Sequence, residues 1–303
     1  MVRHYQQVLG WVAVGLSTLA GCFWAFWGII ENFHEGWFYP SLVDNIGLML
    51  RQYLLPMIVF LGAAIVALRW PWTGGGLHIA VALVTAWFFR GVSPTVVYPF
   101  IVGPLVFMGV AYWFGRPQPR RWAVVAVVAL PLITLLVCGA EPAYRVCRRL
   151  DDGDLAVRRI AENGVDLVWA PAGPGWPRDG VSWDEAVRRC QYLTDDGTSL
   201  ADSVQNVWRL PTAAEAVQSM HRHGQSCGGT WDAAGGRASY ERTPDKESPL
   251  WDVHSKVIYW WTATEVNDRK ALIIVYDGKV WPRPKQVHWG YLGFRAVRDG
   301  GKK

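Results

Sequence analysis

The sequence predicts a helical membrane domain at residues 1–140 and a separate α+β domain at residues 164–303. Charge separates the two parts, because residues 1–140 contain only seven of the 30 basic residues and three of the 25 acidic residues. Long apolar runs recur in the first part, whereas the second has the mixed charge of a water-soluble domain. The 19 tryptophans and 51% hydrophobic content exclude a disordered chain.

Apolar runs in the first part predict about five transmembrane helices, since a helix needs ~20 mainly apolar residues to cross a bilayer. Four runs approach that length. The run at 77–89 is shorter and crosses only if its flanking glycines join the helix; otherwise the domain has four spans. The runs lie at 8–30, 53–70, 77–89, 96–114 and 122–140.

Arginines predict the orientation of these spans, because cytoplasmic loops are enriched in Lys and Arg. With five spans and a cytoplasmic N-terminus, the inner loops carry Arg3, Arg69, Arg116, Arg120 and Arg121, and all three acidic residues lie outside. The chain is then a multi-pass protein of the cell membrane with an extracytoplasmic C-terminal domain. Four spans would leave that domain in the cytoplasm.

The spans themselves favour anchoring over transport. Transporters and pumps carry ionisable residues inside their spans, whereas the interiors of these runs have none, and His78 lies at the edge of one. We expect His78 to be an interfacial histidine. Nucleic acid is not a predicted partner, because the net charge of +5 forms no basic stripe.

Residues 141–163 are predicted to connect the two domains. Pro142 should end or bend the last span. Asp154 is a candidate helix N-cap and Gly164 a candidate C-terminal stop, so a short helix is expected over residues 151–163.

Two helices are predicted in the soluble domain from the capping boxes Ser182/Glu185 and Thr212/Glu215. Arg209 should pair with a carboxylate or a carbonyl. Alternating residues predict a strand at 165–170, and residues 224–250 read as a long loop. Four further strands are predicted at 257–264, 271–276, 279–281 and 293–298, with Asp277-Gly278 as a hairpin turn. Two helices followed by short antiparallel strands make an α+β domain.

Four motifs of this domain occur in a familiar order: Val-Ser-Trp-Asp-Glu-Ala from 181, Trp-Arg-Leu-Pro-Thr-x-x-Glu from 208, Tyr-Trp-Trp-Thr-Ala-Thr from 259 and Gly-Phe-Arg-Ala-Val-Arg from 293. Together, over residues 164–299, they resemble the formylglycine-generating-enzyme (sulfatase-modifying factor) superfamily. The likeness is greatest to its non-catalytic branch, which resembles the C-terminal domain of the Lcl collagen-like adhesin. The resemblance implies a C-type-lectin-like fold.

Catalysis is not predicted, because the formylglycine-generating branch binds copper through a late cysteine pair and this chain has no cysteine after Cys227. His221, His223 and Cys227 could in principle ligate a soft metal, but they straddle a helix end and a Gly-rich loop, and we expect surface histidines instead. Cys190 and Cys227 are expected to stay unpaired. An oxidative modifying enzyme and a structural subunit of a membrane complex remain the alternatives to a recognition protein.

Recognition of a glycan, a bacterial envelope polymer or a protein partner is the predicted function. Aromatic side chains in loops stack on sugars or anchor partners, and Trp251 is expected to be one of them. Oxygen ligands after the Trp-rich strand also match calcium, although no cofactor is predicted from so short a match. The candidate ligand-binding residues are Trp231, Glu265, Asn267, Asp268, Trp281, Arg283 and Trp289.

Overall fold

The computed structural model describes residues 2–91, 94–178, 180–247, 249–288 and 290–301. The chain forms two compact units. The first comprises Met1–Trp37 and Ser41–Val146, and the second comprises Phe38–Pro40 and Cys147–Lys303. The boundary at Val146 lies inside the segment that was predicted to be a connector.

The first unit is helical in its described residues. Two π-helical turns, Met49–Tyr53 and Tyr98–Val102, interrupt the α-helices. The helices are α1 (Val2–His34), α2 (Leu42–Leu48), α3 (Leu55–Arg69), α4 (Pro71–Phe88), α5 (Pro94–Val97), α6 (Gly103–Phe114) and α7 (Arg120–Cys147).

Helices α1 and α7 are long and apolar enough to cross a membrane. Residues 42–53 and 55–69 form a pair that is bent by 64°, and this pair gives a third crossing if it is a single broken span. These are the candidates among the described residues. The prediction of a helical membrane domain is confirmed at this level.

Helix α4 takes in the glycines beside the short apolar run at 77–89. A Cβ on Gly74 would lie 2.1 Å from the backbone of Ala67, and one on Gly75 would lie 2.4 Å from the Trp113 ring. Glycine is therefore required at both positions for α4 to pack closely against α3 and α6. The helix reaches 18 residues because it includes these glycines.

Pro142 does not end the last apolar helix, so the predicted end at this residue was wrong, whereas a bend there stays a prediction. Helix α7 continues through Pro142 to Cys147. Proline removes only one backbone donor, so its cost is local. Arg145 Nη2 lies 2.5 Å from Glu141 Oε1, and this i,i+4 ion pair bridges the proline position in the last turns of the helix.

The helix predicted over residues 151–163 is also wrong, because the segment contains strand β1 (Arg158–Ile160). Asp151, Asp152 and Asp154 each accept a hydrogen bond from the backbone N–H two residues later, at 2.9–3.0 Å. Aspartate side chains that bond the backbone in this way compete with the helix. The strand places Ile160 in the core, so the segment is part of the second unit and not a connector helix.

The second unit contains two helices and eleven strands in its described residues. The helices are α8 (Trp183–Tyr192) and α9 (Ala213–Gln218). The strands after β1 are β2 (Leu167–Trp169), β3 (His221–Arg222), β4 (Gln225–Ser226), β5 (Thr230–Asp232), β6 (Arg237–Ser239), β7 (Tyr259–Asn267), β8 (Lys270–Val275), β9 (Val280–Pro284), β10 (Leu292–Gly293) and β11 (Val297–Asp299).

Two sheets carry the fold of this unit. One has the antiparallel order β1-β2-β11, and the other has the order β10-β7-β8-β9. Strands β7, β8 and β9 are antiparallel neighbours, whereas β10 runs parallel to β7. The strand predicted at 293–298 is therefore divided between two sheets, and Phe294 is buried in the core. The Asp277-Gly278 turn between β8 and β9 is confirmed, with Gly278 at φ +84°.

Residues 224–250 are not one long loop. His223 and Gly224 both have positive φ values, at 51° and 71°, and they join β3 to β4. A two-residue turn with two positive φ angles usually contains Asn-Gly. The His223-Gly224 pair was therefore not predicted to be a hairpin turn. The β5–β6 hairpin turns at Gly235-Gly236, where Asp232 Oδ1 accepts the N–H of Ala234 at 3.0 Å.

Both predicted helix starts are confirmed. Thr212 and Glu215 form the full reciprocal capping box of α9, and Ser182 Oγ accepts the N–H of Glu185 at the start of α8. Arg209 pairs with Glu215 through two hydrogen bonds of 2.8 and 2.7 Å.

The helices and sheets enclose two core clusters. The first core centres on Trp169, Trp176, Trp251 and Trp260, and the second contains Ala186, Cys190, Trp208, Trp261 and Phe294.

Candidate functional site

An array of aromatic and basic side chains lies on one face of the β7–β8–β9 sheet. Trp281 of β9 pairs with Ile273 of β8, which in turn pairs with Trp261 of β7. Two residues further along β9, Arg283 pairs with Ala271, which in turn pairs with Glu265. Directly opposed residues share a face, and alternate residues of one strand do so as well. We call this array the aromatic–basic row; its members are Trp183, Tyr259, Glu265, Trp281, Arg283 and Lys285.

Arg283 is the exposed basic member of the row. Its Cζ lies 5.6 Å from the ring centroid of Tyr259 and 6.0 Å from that of Trp281. Within the part of the chain that the structure describes, its guanidinium contacts these rings and makes no hydrogen bond or ion pair. Cation–π contact therefore orients the side chain, while its N–H donors remain available to a ligand.

Lys285 is held inside the row. Its Nζ lies 4.2 Å from the ring centroid of Trp183 and pairs with Glu265 Oε2. Its side chain is only 9% exposed, compared with 50% for Glu265. The backbone fixes it further, because Trp183 N–H donates to the Lys285 carbonyl at 2.9 Å. Lys285 and Glu265 therefore satisfy each other, and Arg283 is the donor that remains for recognition.

The sequence prediction included three members of the row and missed three. Tyr259 lay in a predicted strand and Trp183 in a predicted helix, whereas Lys285 lay in no predicted element. The period-two spacing of Trp281, Arg283 and Lys285 could have placed them on one face. The prolines at 282 and 284 obscured this signal, but β9 is an edge strand, where proline is tolerated because one side of the strand needs no donors.

Asn267 and Asp268 do not join the row. They form the β7–β8 turn, where Asn267 Oδ1 accepts the N–H groups of Arg269 and Lys270 at 2.9 and 3.0 Å. Among the described residues, no group of three or more His, Cys, Asp or Glu could hold a metal ion. Glu265 Oε2 and Asn267 Oδ1 are thus engaged by other groups of the chain.

The remaining candidate tryptophans differ in their surroundings. Trp231 is half-buried in β5, where it packs against the first core. Trp289 lies outside the described residues. Trp251 was expected to be exposed, but it is 2% exposed and stacks on Trp260 with ring centroids 3.4 Å apart. The Trp-rich strand β7 supplies that stacking partner, so Trp251 belongs to the core.

The histidines near residue 222 are engaged by nearby groups. His221 was expected at the surface but is 8% exposed, with Nδ1 2.8 Å from the Ser219 carbonyl. His223 Nδ1 lies 3.4 Å from Glu247. Cys190 and Cys227 are free and buried in different core clusters. Burial raises the pKa of the Cys227 thiol to about 11 and raises that of Cys190 further, so both stay protonated.

Three consecutive charged residues, Asp245, Lys246 and Glu247, are buried in the segment after β6, with exposures of 1–2%. Asp245 pairs with Arg149 at 2.9 Å, and Glu247 Oε2 accepts the N–H of His223 at 2.9 Å. Lys246 donates to the Ser255 carbonyl. Each charge therefore has a specific partner, as buried charges require, and the cluster ties this segment to the core.

Burial lowers the pKa of Lys246 to about 7, and the charge of Arg149 acts in the same direction. A neutral amine still donates to the Ser255 carbonyl, so the contact does not require the proton. No sequence pattern indicated this residue, because Lys in a polar, Gly-rich segment is normally solvated.

Comparison of the chain with protein-family models, with curated proteins and with solved structures found no match. Its function is therefore argued from the arrangement of its own residues.

Stability of the second unit should rise with pH above about 7. The unfolded chain binds the Lys246 proton up to the ordinary lysine pKa, whereas the folded chain releases it near 7, so folding gains up to ~1.4 kcal/mol per pH unit in this window. Melting of the full chain in detergent, followed by tryptophan fluorescence, should occur at a higher temperature at pH 9.5 than at pH 7. Lys246→Met should reduce this difference; an unchanged difference would refute the assignment.

Proposed function

We propose that this is a multi-pass membrane protein whose second unit is an extracytoplasmic recognition domain for an acidic glycan or envelope polymer. The observation that carries the proposal is the guanidinium of Arg283, exposed and held against the rings of Tyr259 and Trp281. It presents a charged fork beside aromatic surfaces on a rigid sheet.

The chemistry of the row suits acidic sugars better than neutral ones. Aromatic rings stack on the apolar faces of sugar rings, and an arginine fork pairs with carboxylate or phosphate through two parallel hydrogen bonds. Lys285 and Glu265 neutralise each other, so Arg283 gives the exposed part of the row a positive charge. A partner with alternating sugar and acidic groups would match this spacing of rings and charge.

A C-type-lectin-like fold for the second unit is part of the proposal. Two helices, an antiparallel β7–β8–β9 meander and a short parallel strand beside β7 support it. The four sequence motifs lie in these elements: α8, the start of α9, β7 and the β10–β11 segment. Stabilising roles for Trp208 and Phe294 in the second core are consistent with a non-catalytic scaffold.

Five spans with a cytoplasmic N-terminus complete the proposal. Helix α4 has 18 residues, close to the length of a span, and the bent pair at Leu54 supplies another candidate crossing. The arginine distribution supports this orientation.

Alkaline phosphatase fused after residue 160 of the chain should be active in bacterial cells, because this enzyme folds only outside the cytoplasm. A green fluorescent protein fused at the same point should be dark. The opposite pair of results would place the second unit in the cytoplasm and exclude the orientation proposed here.

Binding of acidic envelope polymers to the full chain in nanodiscs should depend on the row. Arg283→Gln should weaken binding by at least ~1.5 kcal/mol, since it removes a charge-assisted donor, and Trp281→Leu should weaken it by a similar amount. Biolayer interferometry against immobilised acidic and neutral polysaccharides measures both effects.

Arg237→Gln is the matched control, because Arg237 is also exposed on a strand but lies in β6, away from the row. It should leave affinity unchanged. Equal binding by all three variants would remove the row from the site. Capture of a defined envelope protein that depends on Arg283, without polysaccharide binding, would replace the polymer by a protein partner.

A further inference from the structure

A cleft of about 420 Å³ lies in the first unit, between α1 and the π-helical turn that precedes α3. Its volume is within the range of small-molecule sites. Three aromatic and three polar side chains dominate its walls: Trp24, Trp27, Tyr53, Glu31, Glu35 and Gln52.

The backbone builds this cleft by an unusual close approach. A Cβ on Gly28 would lie 2.4 Å from the Tyr53 carbonyl oxygen, so only glycine lets the π-helical turn reach α1 here. The following helix, α3, leaves at an angle of 64° from the preceding segment. π-Helical turns inside helices often mark functional sites, and non-helical backbone at membrane depth is tolerated where it lines a cavity.

Two carboxylates line the cleft, Glu31 in the last turn of α1 and Glu35 one residue beyond its end. Glu31 and Glu35 are one helical turn apart, and both are half-buried. Within the described residues, the Glu31 side chain makes no hydrogen bond or ion pair. An acidic side chain at such a position in an otherwise apolar helix is costly unless a cation accompanies it.

The aromatic walls define which cation fits. Trp24, Trp27 and Tyr53 line the same space as the carboxylates. Ring faces attract substituted ammonium groups, which are weakly hydrated and have an apolar surface. Small metal ions would instead need several oxygen ligands at fixed distances.

We propose that this cleft binds a small organic cation through a substituted ammonium group. Glu31 supplies the countercharge, and Trp24, Trp27 and Tyr53 line the space for the alkyl groups. The site is independent of the recognition function proposed for the second unit, because all its residues belong to the first unit.

Choline is a suitable probe, with the neutral isostere 3,3-dimethylbutan-1-ol as its matched ligand. Isothermal titration of the full chain in nanodiscs of phosphatidylglycerol should show saturable choline binding, and the neutral isostere should bind at least about tenfold more weakly. Glu31→Gln should weaken choline binding by about tenfold or more. Trp27→Leu, which alters a half-exposed ring and should be tolerated by the fold, should weaken it by a similar factor.

Control variants are available in the same unit. Glu141→Gln and Trp122→Leu change exposed residues of α7 outside the cleft, and they should bind choline as the wild type does. Absence of saturable choline binding, equal binding of the neutral isostere, or equal binding by the cleft variants would each overturn the proposal.

The ammonium group could belong to a soluble amine or to a lipid headgroup. Nanodiscs that also contain phosphatidylethanolamine distinguish these sources. A lipid source predicts a raised apparent Kd for choline in the wild type as phosphatidylethanolamine is added. A soluble source predicts an unchanged Kd, and either result is consistent with the proposed cation site.

Discussion

The guanidinium of Arg295 is buried in the second unit and donates hydrogen bonds to three separate segments of the chain. Nε donates to the Ala170 carbonyl at 2.8 Å, and Nη1 donates to the carbonyls of Pro249 and Leu250 at 2.9 and 2.7 Å. Nη2 donates to the Ala156 carbonyl at 3.4 Å. These backbone carbonyls, and not a carboxylate, compensate for removing the charge from water. Burial nevertheless lowers its pKa to about 9, which leaves the group charged at neutral pH.

The Arg295 hydrogen bonds fix the segment in which the chain passes from one sheet to the other. Arg295 follows β10, which is in the four-stranded sheet, and precedes β11, which is in the three-stranded sheet. Its side chain also lies over the Trp176 ring, with Cζ 4.2 Å from the centroid. The crossover between sheets is thereby fixed against the core, and β10 can pair with β7, the strand that carries Tyr259 of the aromatic–basic row. The row thus depends on a buried charge that is remote in sequence from Trp183, Tyr259 and Glu265.

Local signals in the sequence were sufficient where one residue type dictates a conformation. The capping residue Thr212, the Asp277-Gly278 turn and the continuous apolar run of β8 are local signals that each predicted their element. Helix prediction failed at residues 151–163 because aspartate side chains bonded the backbone and the core required Ile160. The His223-Gly224 turn was missed because the pair differs from the Asn-Gly and Asp-Gly pairs that are typical of such turns.

The sites were predictable to a smaller extent, because they depend on contacts between distant residues. Trp281 and Arg283 were identified from aromatic and basic composition, but Lys285 became part of the row only through Trp183 and Glu265. Similarly, Glu31 and Glu35 read as loop acids near the end of an apolar run. Their proximity to Tyr53 follows from the close contact at Gly28, which a single sequence does not reveal.

The unfolding free energy of Arg295→Lys tests the dependence of the second unit on this guanidinium most directly. Lysine keeps the positive charge but cannot reach carbonyls on three segments at once, so the variant should lose ~3 kcal/mol or more in urea unfolding of the full chain. Arg209→Lys, at a partly exposed ion pair, should lose less. An Arg295→Lys protein within ~0.5 kcal/mol of the wild type would contradict the account, because charge alone would then be sufficient at this position.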